Sequence, residues 1–436
     1  MKSPKLLLFL LFLSTQVTAE STLNSAASAD YEYLQSLYFH LHSNPELSFQ
    51  EKNTATRIAT ELRKAGFEVT ERVGGYGVVG VLKNGEGPTL MLRTDLDALP
   101  VKEKTGLDYA SKIQAVDDKG VTVHTMHACG HDIHMTVFTG TARRLAALRD
   151  KWSGTLVMIG EPAEERGTGA RAMLADGLYT RFPLPDFAMG LHANAALPAG
   201  QIGYVEGYAL ANVDMVDITL QGIGGHGAYP HTTKDPIVLA AQIINSLQTL
   251  VSREISPLDP AVVTVGSIHG GTKHNIIPDE VHMQLTVRSY TDENREALLA
   301  GIKRITNAQA IVMGFPEDKL PLIKVRDEFT PALYNDLALT SRVTAVLKKQ
   351  LGEERVVRVK PVMGGEDFSE YGRTEHKVPG FFFWLGAVDP KTHKDAMDSG
   401  EKLPSLHSAY FAPLPRTTIV TGVEAMTAAA LNLFSN

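Results

Sequence analysis

The sequence predicts an α/β fold: an αβα sandwich interrupted by a smaller ferredoxin-like α+β domain. Short apolar segments alternate with segments of helical period in both outer parts of the chain, as expected for strands buried between helical layers. Between about residues 210 and 325 the order is instead β-α-β-β-α-β, the split βαβ motif. The 436 residues are 44% apolar and 21% charged, which excludes collagen-like, coiled-coil and wholly disordered chains.

The larger domain is predicted from elements on either side of the insertion. Strands are expected at 76–83, 89–93, 155–160, 186–192 and 380–385. Helices are expected at 53–65 (with Gly66 as C-cap), 132–148, 335–351 and about 417–434. Residues 22–30 are small and polar and predict a loose tether. The larger domain thus covers 20–209 and 326–436, and the inserted domain covers 210–325.

The inserted domain has its own regular pattern. Strands are predicted at 212–222, 261–268, 280–288 and 320–326, and helices at 236–253 and 292–314. Pro236 stands at a position that the first turn of a helix tolerates.

Residues 1–19 are typical of a secretory signal peptide. Lys2 and Lys5 precede the apolar run 6–13, and the small-residue pattern ending at Ala19 predicts cleavage there. The alternative is a short membrane anchor, but the run is about half of the ~20 residues that a spanning helix needs. No second uncharged run of that length follows, so we expect a product without a stable membrane span. A bacterial periplasmic or secreted protein fits best.

Charge and cysteine content narrow the function. The net charge is −7 and no broad basic field exists, so binding to nucleic acid through phosphate contacts is not expected. The single cysteine, Cys129, excludes an intramolecular disulfide. The sequence has no G-x-S-x-G elbow and no H-E-x-x-H motif.

The segment from His124 to His134 carries four histidines, one cysteine and one aspartate. Cys129 and His131 have C-x-H spacing, and Gly130 permits the turn that directs both side chains at one transition metal. Asp132 could orient a ligand imidazole. We expect His124 and His134 to be surface residues, whereas the role of His127 stays open.

Further candidate ligands lie beyond predicted strands. Glu164 and Glu165 follow the strand 155–160, where one carboxylate could bind a metal and the other could take a proton from water. His192 closes another strand, and His407 follows a segment rich in Gly and Pro. Cys129, His131, Glu165, His192 and His407 would be five ligands, enough for two metals sharing one bridging group.

Four places could contact a substrate. His226 stands on a glycine-rich turn, and Asn275 ends a glycine-rich loop that does not match a phosphate-binding motif. Arg288 ends a strand, where it suits bidentate capture of a carboxylate, although a surface cation is equally compatible. Gly364 belongs to a glycine pair that lets the backbone approach a ligand.

These motifs, in this order, resemble those of dinuclear metal amidohydrolases related to aminoacylases, over nearly the whole chain. The closest branch contains hippurate hydrolase, plant auxin-conjugate hydrolases and bacterial N-acyl-amino-acid deacetylases. The motifs are Arg93–Pro100, Met126–Asp132, Glu161–Glu165, Gly190–His192, Gly224–His226, Asp235–Pro236, Asn275–Pro278, Met363–Phe368 and Leu406–Ser408. One departure is Tyr229, in the segment after His226.

The resemblance implies a zinc-peptidase-like catalytic domain with a lid or dimerisation domain. It also implies two divalent ions per subunit, Zn²⁺ or Mn²⁺ with Co²⁺ or Ni²⁺ as alternatives, and a homodimer formed through the lid. By motif, the ligands are Cys129, His131, Glu165, His192 and His407. Glu164 is then the general base, Arg288 binds the substrate α-carboxylate, and His226 and Asn275 reach the substrate carbonyl, His226 from the partner.

The expected activity is metal-dependent hydrolysis of small N-acyl amino acids to a carboxylic acid and a free amino acid. The main alternative is a dipeptidase or carboxypeptidase with the same dinuclear centre. A non-catalytic binding protein is disfavoured because it would need Glu165 without Glu164. A redox sensor would require a free, reactive Cys129.

Overall fold

The computed structural model describes residues 17–435. The α-helices within this range are α1 (Val17–Ala29), α2 (Tyr31–Ser43), α3 (Lys52–Lys64), α4 (His131–Ala147), α5 (Gly169–Ala175), α6 (Leu178–Arg181), α7 (Pro236–Thr249), α8 (Asp292–Val312), α9 (Leu337–Leu351), α10 (Ser369–Gly372), α11 (Pro390–Ser399) and α12 (Pro415–Phe434).

The β-strands within the same range are β1 (Glu68–Val73), β2 (Gly77–Asn84), β3 (Thr89–Asp95), β4 (Gln114–Val116), β5 (Thr122–His124), β6 (Gly154–Glu161), β7 (Phe187–Pro198), β8 (Ile202–Tyr204), β9 (Gly207–Leu210), β10 (Asn212–Gln221), β11 (Gly225–His226), β12 (Ala261–Gly270), β13 (Ile276–Ile277), β14 (Glu280–Ser289), β15 (Leu322–Val325), β16 (Leu333–Asn335), β17 (Val356–Arg358) and β18 (Gly380–Val388).

The larger sheet has eight strands in the order β1-β2-β6-β3-β7-β18-β8-β17. Its central strands β6, β3, β7 and β18 are parallel to their neighbours in that group. Their side chains are buried on both faces: Leu156 of β6 belongs to one apolar cluster and Val157 to the other. This two-sided burial explains why these strands are nearly continuous in apolar residues.

Helices cover both faces of this sheet. The first apolar cluster joins one face to α2, α3, α4, α9 and α12, and the second joins the other face to α5, α6 and α10. Helix α12 is the one helix in the described part of the chain that is long and apolar enough to cross a membrane, and 83% of its apolar window is buried inside the protein. The apolar side chains of α12 are buried because this helix packs against α4 and α9.

The smaller sheet is antiparallel, with strand order β12-β14-β10-β15. Helices α7 and α8 pack on one face and share an apolar core with the strands. In chain order this is strand order 2-3-1-4 with two helices on one side, the ferredoxin-like arrangement. The predicted fold class is therefore confirmed: an αβα sandwich with a ferredoxin-like insertion. The exact boundaries at residues 210 and 325 stay predictions.

The N-terminal region differs from the sequence-based expectation at residues 22–30. The predicted tether at 22–30 is wrong, because α1 extends to Ala29 and Ala27 is fully buried. The contacts of α1 with α12, including the bond from Asn24 to Glu424, hold this segment. The predicted signal peptide falls on residues 1–19, of which 1–16 lie outside the described residues, so it stays a prediction.

Candidate metal centre

The candidate site lies at one edge of the larger sheet, where the parallel strands end. Strands β3 and β6 end at Asp95 and Glu161, which are register partners, and the segment with Glu164 follows directly. His192 lies in β7 beside Trp384 of β18. Because parallel strands bring their carboxyl ends to one edge, side chains far apart in sequence converge there.

The Cys129–His131 segment depends on Gly130. This residue has φ +86, a left-handed conformation that glycine adopts readily, and helix α4 begins immediately after it. A Cβ atom at Gly130 would lie 3.0 Å from the Cβ atom of Ala193. The turn brings Cys129 to the site from the loop and His131 from the first turn of α4.

The structure brings the five predicted ligands together. The Cys129 Sγ atom lies 3.3 Å from His192 Nε2 and 3.1 Å from His407 Nε2. Two sets of donor atoms, each within 4.8 Å of one another, share the thiol: Cys129 with His131 and His192, and Cys129 with Glu165 and His407. The two groups could therefore hold two metal ions, and Cys129 belongs to both groups.

The imidazole orientations fit metal binding. The Nδ1 atom of His131 lies 2.8 Å from the carbonyl oxygen of Asp97, and that of His192 lies 2.7 Å from its neighbour Ala193 O. A carbonyl only accepts hydrogen bonds, so each Nδ1 carries a proton, and each Nε2 is the ring nitrogen left to bind a cation. His131 Nε2 and Glu165 Oε1 are buried without a hydrogen-bond partner, and both atoms could instead coordinate a bound cation.

The electrostatic field of the site favours cations. Burial raises the pKa of Cys129 well above its ordinary value, and Glu165 and Glu164 raise it further. Burial lowers the pKa of His131, but Asp95, the hydrogen bond to Asp97 and Glu165 outweigh this and raise it to about 10. Divalent ions would oppose this excess of negative charge and favour the thiolate. The donor set of N, S and O atoms suits Zn²⁺ and related ions.

Glu164 lies beside the ligand groups and faces a cavity of about 600 Å³. Its Oε2 atom lies 3.8 Å from His131 Nε2. Burial raises its pKa well above the ordinary value, and Glu366, Glu165 and Asp367 raise it further. The preceding residue, Ala163, has φ +53, a strained conformation for a residue with a side chain.

The same cavity contains two of the predicted substrate-contacting residues. Arg288 and Gly364 both line it. The Arg288 guanidinium is half-buried and donates to the carbonyl oxygen of Met363 at 3.0 Å. Within residues 17–435 it has no carboxylate at ion-pair distance. A guanidinium that is partly desolvated and unpaired is suited to an anionic ligand.

His226 and Asn275 lie elsewhere. Both are exposed at β11 and in the loop before β13, and neither lines the cavity in the described chain. Val213 pairs with Arg288 near the cavity, whereas Gln221 pairs with Glu280 at the other end of the sheet. Eight residues of strand separate these ends by about 27 Å at roughly 3.4 Å per residue. One chain therefore does not bring these two residues to its own ligand cluster.

The expectation that His134 is a surface residue is wrong. Its ring is 2% exposed and bonds to Asp95 and to the backbone of Ala193. His127, whose role was open, is also buried, and neither ring nitrogen has a hydrogen-bond partner. His124 is near the surface and contacts Gln114, as expected. Burial of His134 follows from packing of α4 against β7, which the local sequence does not reveal.

A buried ionic network beneath the candidate ligands was also not predicted from the sequence. The Arg93 guanidinium lies 2.8 Å from Asp95, 2.8 Å from Glu161, 2.9 Å from Glu366 and 3.2 Å from Asp367. It offsets part of the negative charge under the site, because buried carboxylates need such partners. Charged residues at the end of a strand that is otherwise apolar were the available sequence indication.

The fold and this cluster are those of a class of protein: a metal-dependent hydrolase, here with candidate metal ligands at the sheet edge and an inserted ferredoxin-like domain. The chain belongs to peptidase family M20/M25/M40, whose family model matches residues 91–410.

Named relatives support this assignment. N-acetylcysteine deacetylase of Bacillus subtilis is 36% identical over 384 residues, covering 86% of this chain and 93% of that protein. Thermostable carboxypeptidase 2 of Saccharolobus solfataricus is 36% identical over 355 residues, covering 80% of this chain and 85% of that protein. Among solved structures, the Bacillus subtilis YXEP protein, described as a dinuclear metal binding peptidase from the M20 family, has a TM-score of 0.74 and 30% identity. That match covers 92% of this chain and 98% of the other.

Proposed function

We propose that this protein hydrolyses the amide bond of N-acyl amino acids, releasing a carboxylic acid and a free amino acid. Cys129, His131, Glu165, His192 and His407 are the proposed ligands of two divalent ions, Zn²⁺ or Mn²⁺, with Co²⁺ or Ni²⁺ as alternatives. The observation that carries the proposal is the position of Glu164, a second carboxylate that adjoins the ligand groups and faces the same cavity as Arg288.

Glu164 is the proposed general base. When bound, the two ions supply Lewis acidity: they polarise the substrate carbonyl and lower the pKa of water. Glu164 takes the proton from the attacking water and delivers it to the nitrogen of the leaving amine. Glu164 must be deprotonated before it accepts this proton, and bound divalent ions would oppose the rise in its pKa that burial and Glu366 cause.

Arg288 is the proposed receptor for the substrate α-carboxylate. Its bond to Met363 O holds the guanidinium toward the loop that contains Gly364, and the remaining N–H groups can form a bidentate contact. This contact places the amino-acid half of the substrate on the lid side of the cavity. The scissile amide then lies between Arg288 and the ligand cluster.

Apolar side chains form a large part of the cavity lining. The cavity lining includes Leu210, Val213, Met215, Val362, Trp384 and Leu406. An aromatic ring buries roughly 150–250 Å² of surface, and such a lining offers it more contact than an acetyl group could use. We therefore propose that benzoyl and other large apolar acyl groups are better substrates than acetyl.

A second copy of the chain is proposed to complete the site. His226 and Asn275 lie in segments that follow β10 and precede β14, at the end of the lid sheet opposite Arg288, and the two ends are about 27 Å apart along the strands. Ile223, Tyr229 and Ile276, in the same region of the lid, are exposed apolar residues suited to a protein contact. A homodimer through the lid would let His226 of one protomer contact the substrate carbonyl in its partner.

We propose that the protein is exported and that residues 1–19 are removed. The support is the charged and apolar pattern of those residues. N-terminal sequencing of protein recovered from the periplasm or medium of a bacterial host tests this. A mature chain beginning at Glu20 is expected, whereas retention of Met1 in the cytoplasm contradicts it.

The test of the activity is amine release from matched substrates. Purified protein is stripped of metal and reloaded with Zn²⁺, Mn²⁺ or Co²⁺, then given N-benzoyl, N-acetyl and unblocked dipeptide substrates of the same amino acid. Metal-dependent release from the acylated substrates is expected. Glu164→Gln, loaded to the same metal content, is the matched control for a contaminating hydrolase.

A dipeptidase or carboxypeptidase is the second candidate, because the carboxypeptidase of Saccharolobus solfataricus is 36% identical. Release from unblocked dipeptides alone, or from peptides with a free carboxyl terminus alone, would favour it. No release from any substrate by folded protein containing two ions would refute hydrolysis.

A further inference from the structure

The His134 side chain hydrogen-bonds to two segments of the candidate metal centre. It lies on α4, one turn after His131, and is almost fully buried. Its Nδ1 atom is 2.8 Å from Asp95 Oδ1, and its Nε2 atom is 2.7 Å from the main-chain nitrogen of Ala193. One ring thus connects the end of β3 to the residue that follows His192 in β7.

The bonding partners determine the tautomer of His134. The Ala193 N–H can only donate, so His134 Nε2 accepts and has no hydrogen. Nδ1 therefore carries the hydrogen and donates it to Asp95 Oδ1. Both ring nitrogens are used, so His134 cannot bind an ion without losing its contact with Ala193.

Both bonds act on atoms next to proposed ligands. The Ala193 carbonyl accepts the bond from His192 Nδ1, so holding Ala193 also holds the His192 ring. The other carboxylate oxygen of Asp95 accepts from Arg93 at 2.8 Å and lies 3.7 Å from His131 Nε2. If Oδ1 were released, Asp95 could turn toward His131 and compete for the nitrogen that faces the ion.

The His134 ring also packs against the imidazoles of both His131 and His192, which contact each other with their ring centroids 5.8 Å apart. Its centroid lies 4.5 Å from that of His192 and 5.3 Å from that of His131. In the described part of the chain, no hydrogen bond, ion pair or ring contact joins His134 to Glu165 or His407, the donors that complete the other group. We propose that His134 is a positioning residue for one of the two ions, the one held by Cys129, His131 and His192. The proposal rests on the two-ion part of the proposed function.

Two variants separate the two bonds. In His134→Asn the amide nitrogen can replace Nδ1 and donate to Asp95, but nothing accepts from Ala193. In His134→Gln the amide oxygen can replace Nε2 and accept from Ala193, but the donor to Asp95 is lost. His124→Asn is the matched control, because His124 is a nearby histidine whose contact is with Gln114 at the surface.

The measurement is metal binding, without any substrate. Metal-free protein is titrated with Zn²⁺ against a competing chelator to obtain two stepwise affinities, and thermal unfolding of the metal-free protein is recorded. Each His134 variant is expected to lower one affinity about 10–100-fold, the range for residues that orient metal ligands. The other affinity should stay close to that of the wild type and of His124→Asn. Both metal-free His134 variants should still fold cooperatively, at a lower unfolding temperature than the wild type, because a buried group loses its hydrogen-bond partner in each of them.

Several results would overturn the proposal. Unchanged affinities in both variants would mean that His134 does not position a ligand. An equal loss of both affinities, or variants that do not fold without metal, would make His134 a general core residue. Failure of wild-type protein to bind two ions would instead refute the proposed function, so the two failures are distinguishable.

Discussion

Glu51 holds the turn that carries Glu164 and Glu165, although it is more than a hundred residues away. Its buried Oε1 atom accepts hydrogen bonds from the main-chain nitrogens of Ala163 and Phe49, both at 2.8 Å. Ala163 and Phe49 have φ values of 53 and 63, a left-handed conformation that residues with side chains rarely adopt. The carboxyl of Glu51 therefore stabilises two strained positions at once.

Burial, together with the charge of Asp97, raises the pKa of Glu51 to about 8. Oε2 is buried without a partner and is the oxygen available to hold the proton. Because the folded pKa exceeds the ordinary 4.5, folding takes up a proton above pH 4.5. The stability contribution of Glu51 therefore falls as pH rises from 4.5 through 8. At 1.36 kcal/mol per pKa unit, the loss is about 3 kcal/mol at pH 7 and approaches about 5 kcal/mol above pH 8.

The variant Glu51→Gln keeps an oxygen acceptor for both N–H groups and removes the titration. We expect it to unfold like the wild type near pH 4.5 and to be more stable by about 3 kcal/mol at pH 7. Glu51→Ala is the matched comparison, because it removes the acceptor as well. Leaving the Ala163 N–H buried without a partner costs about 1–3 kcal/mol.

The assay is urea unfolding of metal-loaded protein at pH 5, 7 and 8.5, with the three proteins measured in the same buffers. A stability difference between Glu51→Gln and wild type that grows with pH supports the reasoning. A difference that is constant with pH would refute the reasoning. It would mean that the pKa of Glu51 is the same in the folded and unfolded states, so that its ionisation adds no pH dependence to stability.

Three further predictions concern catalysis, substrate binding and stability. Glu164→Gln should lower kcat by about 10²–10⁴-fold with unchanged metal content, measured by amine release and metal analysis; turnover near the wild-type rate would remove Glu164 as the base. Arg288→Ala should raise KM about 10–100-fold for substrates with a free carboxylate, from the ~1.5–3 kcal/mol of a charged hydrogen bond. The corresponding substrate amides should be nearly unaffected, and equal effects on both would contradict the role. His42→Gln should remove a pH-dependent contribution. Burial lowers the pKa of His42, but its bonds to Asp132 and Glu103 raise it to about 9. Its roughly 3 kcal/mol of stability is therefore complete below pH 6.5 and lost as pH rises through 9, so the wild type and the variant should converge at high pH in urea unfolding.

Much of the fold could be predicted because burial leaves a direct pattern in the sequence. Strands β3 and β6 are buried on both faces and are apolar at nearly every position, whereas β10 alternates because one face of the lid sheet is open. Helix α2 was missed. It contains several Tyr, Phe and His residues of weak helix propensity, and packing against α4 and α12 stabilises it.

The candidate ligands could also be predicted, because metal-binding chemistry depends on residue type and on local backbone geometry. Cys129 and His131 are separated by one glycine, and Glu164 and Glu165 follow a recognisable strand. Their convergence with His192 and His407 was expected from the resemblance, and the structure brings these side chains within a few ångströms of one another.

The residues that orient the ligands were decided only by the tertiary structure. His134 contacts Ala193, which is 59 positions later in the chain, and Glu51 contacts Ala163, which is 112 positions later. By itself, the sequence determined which donor atoms the site contains and the order of strands and helices. Packing of α4 and α3 against the sheet decided which polar groups are buried and paired. Hydrogen bonds between residues so far apart in the sequence depend on the relative positions of whole helices and strands.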